Sequence, residues 1–216
     1  MTKISERLKA IASFIEKKDC LVDVGCDHGL LSIYLVENNL AERVVASDIN
    51  LNALNNAIDN IKKRNLKIDT ILSDGINDVD MDGINTLVIS GMGTSTILHV
   101  LSDDKKIKDV KKIIIQSNND YELLRRKMNI KGFYLDDEVY TYERKKWYIT
   151  CCFVKNDKKN TVKEIKYGFL NNNRYNNYLL DKEIKIFKKI PWSSFKVKFC
   201  KLFSIIKLKK TIYNKK

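Results

Sequence analysis

A turn rich in glycine and acidic residues, Asp23-Val-Gly-Cys-Asp-His-Gly29, follows the first apolar run of the 216-residue sequence. Gly25 and Gly29 would let the backbone approach a ligand closely, and the amides of a following helix would favour an anionic group. The G-x-G-x-x-G fingerprint of dinucleotide-binding proteins is not met, because the turn holds only these two glycines. Asp23 is instead well placed to bind an ammonium group. The alternative is a tight turn that binds nothing.

Two further strand-like runs also end in carboxylates, at Asp48 and Asp74. Asp48 follows the first turn by about twenty residues, a spacing suited to accepting hydrogen bonds from both hydroxyls of a ribose. Asp74 could accept the amino group of an adenine while Gly75 leaves room for the ring, although either Asp alone is as often a turn residue or helix cap. Ligands of open α/β sheets bind at the carboxyl ends of the strands. Together the three carboxylates predict a site for S-adenosylmethionine.

The loops after the fourth and fifth apolar runs, Ser90-Gly-Met-Gly93 and Gln116-Ser-Asn-Asn119, are expected to face the methyl acceptor. Glycines in the first loop would let a flat base lie against the backbone, and Met92 could offer a soft apolar contact. A Gly-x-Gly loop that only turns the chain is the alternative. The amide of Asn118 could read a base edge or cap the next helix.

Other candidate residues carry less weight. Cys26 and His28 are neighbours in a turn and have no third group to orient them, so a Cys-His nucleophile is not expected. His99 falls inside an apolar helical pattern and is expected to be packed or on the surface. The five cysteines include no C-x-x-C pair, which indicates neither a disulfide framework nor a zinc site. We therefore expect no metal.

The elements that must position these residues alternate between helix and strand. The spacing of apolar residues predicts strands over 20–24, 43–47, 68–73, 86–90 and 112–116, and helices over 4–17 and near 29–38, 50–64, 94–102 and 119–129. Continuous β-branched runs separated by helices indicate a doubly wound parallel sheet that is covered on both faces. Runs at 133–141 and 147–154, joined by the five residues 142–146, predict an antiparallel hairpin. The predicted fold is α/β: five parallel strands closed by the hairpin make a doubly wound sheet of seven, which resembles the Rossmann-like sheet of class I methyltransferases more than that of a nicotinamide dehydrogenase, and a small helical domain follows.

Positive charge is concentrated in the C-terminal part of the chain. Residues 1–154 carry 22 Lys+Arg against 23 Asp+Glu, whereas residues 155–216 carry 18 against 4. Such a field attracts RNA, DNA or an anionic membrane surface. Coding bias towards lysine is the alternative explanation.

We predict a methyltransferase domain over 1–158 and a basic helical hairpin over 159–216 that binds RNA, with 155–166 as a polar linker. An apolar stripe in the tail, at Phe195, Phe199, Leu202, Phe203 and Ile206, is expected to pack in the hairpin or on the main domain, with an amphipathic membrane helix as the alternative. The N-terminus lacks an apolar signal core and the sequence has no long apolar stretch, so we expect a cytoplasmic protein without a membrane segment.

The motifs taken together resemble the bacterial tRNA (adenine(22)-N1)-methyltransferase family in order and spacing. They are Ser5-x-Arg7-Leu8, Asp23-Val-Gly-x-Asp27-His28, Asp74-Gly75, Gly91-Met92-Gly93 and Gln116-x-Asn118. The likeness covers roughly residues 1 to 185 and includes Tyr167-Gly-Phe-Leu170. Cys26, Gly29, Thr94 and Ser117 depart from the family pattern, and the tail is short. Thr94 is expected to narrow the acceptor side.

The resemblance implies transfer of a methyl group from S-adenosylmethionine to N1 of adenosine 22 in the D-loop region of tRNA, by a monomer that needs no metal. The expected cofactor-binding residues are Arg7, Asp23, Gly25, Cys26, Asp27, His28, Gly29, Asp48, Ile49, Asp74, Gly75 and Gly91. The expected catalytic residues are Asp27, Met92 and Asn118. Asp27 would stabilise the charge that develops on the base, and Tyr142 or Trp147 could stack the base or serve only hairpin packing. Two alternatives stay open: a class I methyltransferase with another acceptor, such as ribosomal RNA, protein or a small molecule, and a non-enzymatic RNA-binding protein.

Overall fold

The computed structural model describes residues 2–213 and contains one sheet of seven strands. The strands are β1 (Cys20–Val24), β2 (Arg43–Asp48), β3 (Asp69–Leu72), β4 (Thr86–Ser90), β5 (Lys112–Gln116), β6 (Phe133–Glu143) and β7 (Lys146–Lys155). The helices are α1 (Glu6–Ala12), α2 (Leu30–Glu37), α3 (Leu51–Lys62), α4 (Thr94–Val100), α5 (Tyr121–Ile130), α6 (Val162–Tyr167), α7 (Asn173–Lys189) and α8 (Phe195–Tyr213).

The strand order is β3-β2-β1-β4-β5-β7-β6, with β1 to β5 parallel and β7 antiparallel to both β5 and β6. The chain moves outward from β1 to β3 and then returns to start β4 beside β1. The loops after β1 and β4 therefore diverge and leave a crevice at the carboxyl ends of these strands. The predicted doubly wound sheet of seven strands, closed by an antiparallel hairpin, is confirmed.

Apolar side chains cover both faces of the central strands. Leu21, Val88 and Ile114 are buried against residues of α1 and α2, such as Ile11 and Leu35. Burial of each such side chain contributes about 1.5–3 kcal/mol, so the centre of the sheet is held rigidly. The strand ends that carry the predicted site residues therefore have fixed positions.

Most predicted boundaries lie within two residues of those in the structure, but the first helix, the linker and the hairpin connection are shorter than predicted. The first helix begins after the N-cap Ser5 and ends at Ala12, five residues earlier than predicted. The predicted linker contains the start of α6, where Thr161 and Glu164 exchange side-chain to backbone hydrogen bonds as a capping box. The hairpin connection is two residues long because Arg144 and Lys145 both take positive φ, which allows a tight turn.

The described residues divide into two compact units, one ending at Lys166 and one beginning at Tyr167. In the second unit, Leu170 and Leu180 form an apolar cluster with Ile205 and Leu208 of α8, so α7 and α8 make a helical hairpin. The stripe expected to pack lies on another face of α8: Phe195, Phe199 and Phe203 are 60%, 49% and 49% exposed. That part of the prediction is wrong, because positions 205, 208 and 212 supply the buried face. No helix within residues 2–213 is both long enough and apolar enough to cross a membrane.

Candidate active site

A cleft of about 480 Å³ opens at the carboxyl ends of β1, β2 and β4. The residues that line it are Arg7, Leu8, Asp23, Gly25, Cys26, Asp27, His28, Leu30, Leu31, Asp48, Ser90, Gly91 and Met92. Nine of them were predicted as site residues: Arg7, Asp23, Gly25, Cys26, Asp27, His28, Asp48, Gly91 and Met92. A concavity of about 560 Å³ lies at the amino ends of β4 and β5, formed by loops at 79–85 and 105–111. It is on the wrong edge for a ligand of this fold.

The turn after β1 is held against β2 and against the loop after β4. The N–H groups of Gly25 and Cys26 donate to the carbonyl of Ser47 at 2.8 and 3.0 Å. Gly25 has φ of +74°, and a Cβ atom there would overlap the methyl group of Met92. The positive φ therefore favours glycine at this position, and a side chain there would require the flexible end of Met92 to move. The close approach brings the predicted cofactor side and acceptor side into contact.

Asp23 is a buried carboxyl group, and few polar contacts offset the cost of burying its charge. It is 3% exposed, and the hydroxyl of Ser32 donates to its Oδ2 at 2.7 Å. Burial raises the pKa of Asp23 to about 6, the hydrogen bond from Ser32 acts in the opposite direction, and the charge of Asp48 raises it further. A cation at this position would favour the ionised carboxylate.

Asp48 fixes two backbone segments at the end of β2. Its Oδ2 accepts the N–H of Asp27 at 3.0 Å, and its Oδ1 accepts the N–H of Asn50 at 2.9 Å. The first bond helps to hold Asp27 at a φ of +53°. Each carboxylate oxygen keeps a further lone pair that can accept a hydrogen bond. Asp48 can therefore bind hydroxyl groups while it holds the turn.

Asp27 and His28 lie at the open side of the cleft. Their side chains are 72% and 53% exposed, and His28 Nε2 is 3.7 Å from Asp27 Oδ1. Cys26 is buried, and burial, followed by the charges of Asp23 and Asp48, raises the pKa of its thiol. A neutral, buried thiol is a poor nucleophile, which agrees with the expectation that Cys26 and His28 do not form a catalytic pair.

Asn118 supports the loop that carries Met92. Its Nδ2 donates to the carbonyl of Gly91 at 2.7 Å, and its backbone N–H donates to the carbonyl of Met92 at 2.9 Å. Thr94 does not line the cleft: it is buried, its N–H donates to Asn119 Oδ1 at 2.9 Å, and its hydroxyl donates to the Asn119 carbonyl at 2.6 Å. These bonds hold the loops after β4 and β5 together.

Four other predicted residues lie outside the cleft lining. Gly29 starts α2, and a Cβ atom there would approach Cβ of Ala57 to 3.0 Å. Ile49 follows Asp48 and is 67% exposed. Asp74 is exposed, and the Gly75 backbone packs against the methyl groups of Val100. The end of β3 adjoins Asp48, whose carbonyl accepts the N–H of Ser73 at 3.0 Å.

The β6–β7 hairpin borders the acceptor side through Gln116 and Arg7. The Nε2 of Gln116 donates to Thr150 Oγ1 at 2.7 Å and to the Arg7 carbonyl at 3.4 Å. The NH₂ group of the buried Gln116 amide is therefore engaged within the protein, whereas its Oε1 accepts no hydrogen bond from the described residues. Tyr142 and Trp147 contact each other with ring centroids 5.1 Å apart, which is the hairpin packing given as the alternative to base stacking.

Ser32, Leu30 and Leu31 were missed by the sequence analysis. They occupy the first turn of α2, directly after the glycine-rich turn. Their position in the sequence could have identified them as site residues, because the start of the first crossover helix faces the ligand in this type of fold. Across residues 2–213, no group of three or more His, Cys, Asp or Glu side chains could hold a metal ion.

Comparisons with known proteins agree with this geometry. A family model described as a methyltransferase domain matches residues 4–150. The tRNA (adenine(22)-N(1))-methyltransferase of Bacillus subtilis is 29% identical over 149 residues, which are 68% of this chain and 63% of that protein. The chain thus aligns with slightly less than two thirds of this relative's length.

Two solved structures match nearly the whole chain. The structure of M. capricolum TrmK in complex with S-adenosyl-homocysteine has 31% identity and a TM-score of 0.83, and covers 97% of each chain. A Streptococcus pneumoniae structure has a TM-score of 0.90 with 24% identity, covering 98% of this chain and 100% of its own, and at that identity it supports the fold alone. The resemblance inferred from the motifs is confirmed. This chain therefore belongs to the methyltransferase-domain family, and tRNA (m1A22) methyltransferases are among its relatives.

Proposed function

We propose that this protein transfers the methyl group of S-adenosylmethionine to N1 of adenosine 22 in tRNA. The observation that carries the proposal is the single cleft that joins Asp23 and Asp48 to the Gly91–Met92 loop. The chain is similar over 97% of its length to M. capricolum TrmK, whose structure was solved with the product S-adenosyl-homocysteine, and this similarity supports the same conclusion.

The residues of the cleft fit the chemical groups of the cofactor. Asp23 is a buried acid whose pKa is raised mainly by burial, and an ammonium group bound beside it would stabilise its carboxylate. Arg7 lines the same cleft and would bind the carboxylate, and Asp48 would accept hydrogen bonds from the ribose hydroxyls. Ile49 offers an exposed apolar surface beside Asp48 for the adenine. Asp74 and Gly75 would lie further along the adenine side.

Bound S-adenosylmethionine would supply a methyl group activated by a positively charged sulfur. The lone pair of adenine N1 forms the new N–C bond as the methyl–sulfur bond breaks, and the electron pair of that bond stays on sulfur. Positive charge moves to the base, where the carboxylate of Asp27 would stabilise it or take a proton from the amino group. Met92 would contact the base, and Asn118 would hold the Met92 loop in place. Alignment of the two reactants supplies much of the acceleration.

N1 lies on the pairing edge of adenine, so the target nucleotide must leave its stack to reach the cleft. The unit around the cleft is nearly neutral, whereas residues 155–216 carry 18 Lys+Arg against 4 Asp+Glu. We propose that residues 159–216 form the domain that binds the tRNA backbone, and that the protein acts in the cytoplasm as a monomer. Phosphate neutralisation by this domain would make binding strongly dependent on salt.

The test is transfer of a tritiated methyl group to unmodified tRNA, followed by mass spectrometry of the nucleosides. One equivalent of 1-methyladenosine is expected, and a transcript with guanosine at position 22 should accept none. Methylation of the guanosine-22 transcript, or of another class of acceptor only, would contradict the proposed substrate. Absence of S-adenosylmethionine binding in calorimetry would instead favour a non-enzymatic RNA-binding protein.

A further inference from the structure

The turn of the β6–β7 hairpin carries three consecutive exposed cations, Arg144, Lys145 and Lys146. β7 runs antiparallel to β5, and Gln116 at the end of β5 is bonded to Thr150 of β7. The turn therefore extends beyond the carboxyl edge of the parallel strands, where the cleft opens. Because residues 1–154 contain 22 Lys+Arg and 23 Asp+Glu, three adjacent cations are a local excess in an otherwise neutral unit.

Two cations share one aromatic ring at the base of this turn. The guanidinium carbon of Arg7 lies 5.2 Å from the ring centroid of Tyr148, and Lys146 Nζ lies 5.1 Å from the same centroid. Each contact with the ring is favourable, but the two positive charges repel each other. In the described part of the chain, no carboxylate lies within ion-pair distance of the side chain of Arg7 or of Lys146. The nearby carboxylate of Glu143 is instead 4.0 Å from Arg144 Nε. An anion near the ring would relieve this repulsion.

The backbone of the turn is also unfavourable for the residues it contains. Arg144 and Lys145 have φ of 49° and 63°, and two-residue turns of this kind prefer Asn-Gly. Left-handed backbone is strained for long side chains. The turn therefore has two long cationic side chains at positions where Asn and Gly would be more stable, and backbone strain of this kind is a reason to look for a function.

We propose that Arg144, Lys145 and Lys146 hold a backbone phosphate of the substrate RNA next to the nucleotide that is methylated. The inference rests on the proposed function, since it takes the acceptor to be RNA. Lys145 and Lys146 donate to the phosphate oxygens, Arg144 adds a planar donor group, and Arg7 remains with the cofactor carboxylate. A phosphate contact fixes the register of the RNA without reading its sequence. The hairpin turn thus positions the strand so that the displaced adenine enters beside Met92.

The double variant Arg144→Asn with Lys145→Gly separates this role from a structural one. It replaces the strained residues with those that the turn prefers, so its thermal midpoint should rise. Affinity for S-adenosylmethionine should stay at the wild-type value, while KM for tRNA should rise several-fold. The magnitude of the slope of log Kobs against log salt should fall by roughly 0.7–0.9, since one phosphate contact is lost.

Lys105→Ala with Lys111→Ala is the matched control, because it removes the same charge from exposed positions at the amino edge of the sheet. Its KM for tRNA should not change. A wild-type KM and salt slope in the stabilised turn variant would overturn the inference, as would a loss of cofactor affinity in that variant. The proposed function fails separately, if the wild-type protein binds tRNA but does not methylate it.

Discussion

Replacement of Asp23 by Asn should make the ligand-free protein more stable at neutral pH and nearly unable to bind S-adenosylmethionine. The folded state raises the pKa of Asp23 to about 6, mainly by burial. Its ordinary value is about 3.9, and each unit corresponds to about 1.36 kcal/mol. Ionisation of Asp23 in the ligand-free protein therefore costs about 3 kcal/mol at pH 7. The carboxyl group contributes fully to stability below about pH 4, and this contribution is lost as the pH rises through about 6.

The amide of the Asn variant cannot ionise, but its NH₂ group needs a hydrogen-bond acceptor in a buried position. An unsatisfied donor costs about 1–3 kcal/mol, so the net gain at pH 7 should be only about 1–2 kcal/mol or less. The difference in free energy of unfolding between variant and wild type should still change by about 2 kcal/mol between pH 4 and pH 7, since part of the effect is already present at pH 4. This change with pH is the decisive quantity, because the amide penalty is the same at both pH values.

Urea denaturation at half-unit steps from pH 4 to 8, with and without S-adenosylmethionine, measures both effects. At a ligand concentration of about 100 times Kd, the wild-type protein should gain about 2.7 kcal/mol, and the variant should gain almost nothing. Ser32→Ala is the control, because loss of its hydrogen bond should raise the pKa of Asp23 further and move the transition to higher pH. Parallel stability curves for Asp23→Asn and wild type would refute the assigned charge state, and unchanged cofactor affinity would refute the assigned contact.

Three further predictions concern the cleft and the tail. Asp27→Ala should lower kcat by about a hundredfold or more while cofactor affinity stays nearly intact, since the carboxylate of Asp27 acts on the base. Asp27→Asn is the control, because it removes the charge but keeps the size and shape of the side chain. Normal turnover by these variants would remove Asp27 from the mechanism. Gly25→Ala should weaken cofactor binding in calorimetry through roughly 1–2 kcal/mol of backbone strain, and adding Met92→Ala should restore little, because the flexible end of Met92 can already move away; full recovery in the double variant would contradict the need for positive φ. Removal of residues from Tyr167 onward should weaken tRNA binding and reduce its dependence on salt concentration. An unchanged slope of log Kobs against log salt would instead indicate that the lysines of this segment reflect coding bias. This truncation retains Asn160, whose side chain bonds the backbone of Leu135 in β6.

The sheet was predictable because its central strands are buried on both faces. Continuous β-branched runs such as Lys112-Ile-Ile-Ile-Gln116 are typical of buried parallel strands. The strands at 20–24, 86–90 and 112–116 lie where they were predicted. The glycine-rich turn was equally visible, since its residue types are needed for local conformation. Element ends were harder to predict. α1 ends five residues before the end that its apolar pattern predicts, and the hairpin turn is tight because Arg144 and Lys145 take positive φ, which their residue types do not predict.

The functions of individual polar side chains could not be predicted from the sequence, because they depend on partners far along the chain. The role of Asn118 as a support appears only when its bond to Gly91, 27 residues away, is known. Likewise Thr94 was expected to narrow the acceptor side, but its hydroxyl bonds the carbonyl of Asn119. The exposed stripe of α8 was predicted wrongly for a different reason. This helix has two apolar faces, so the spacing of apolar residues does not indicate which face is buried.

These long-range bonds also join the two halves of the cleft into one unit. Asn118 holds the carbonyl of Gly91, and the side chain of Met92 lies against Gly25. Gly25 in turn donates to Ser47, next to Asp48, which accepts the N–H of Asp27. The acceptor loop, the cofactor turn and the proposed catalytic carboxylate are thus linked by direct contacts. Because methyl transfer requires donor and acceptor to be aligned within a fraction of an ångström, such continuity favours a preformed site over one assembled by loop closure.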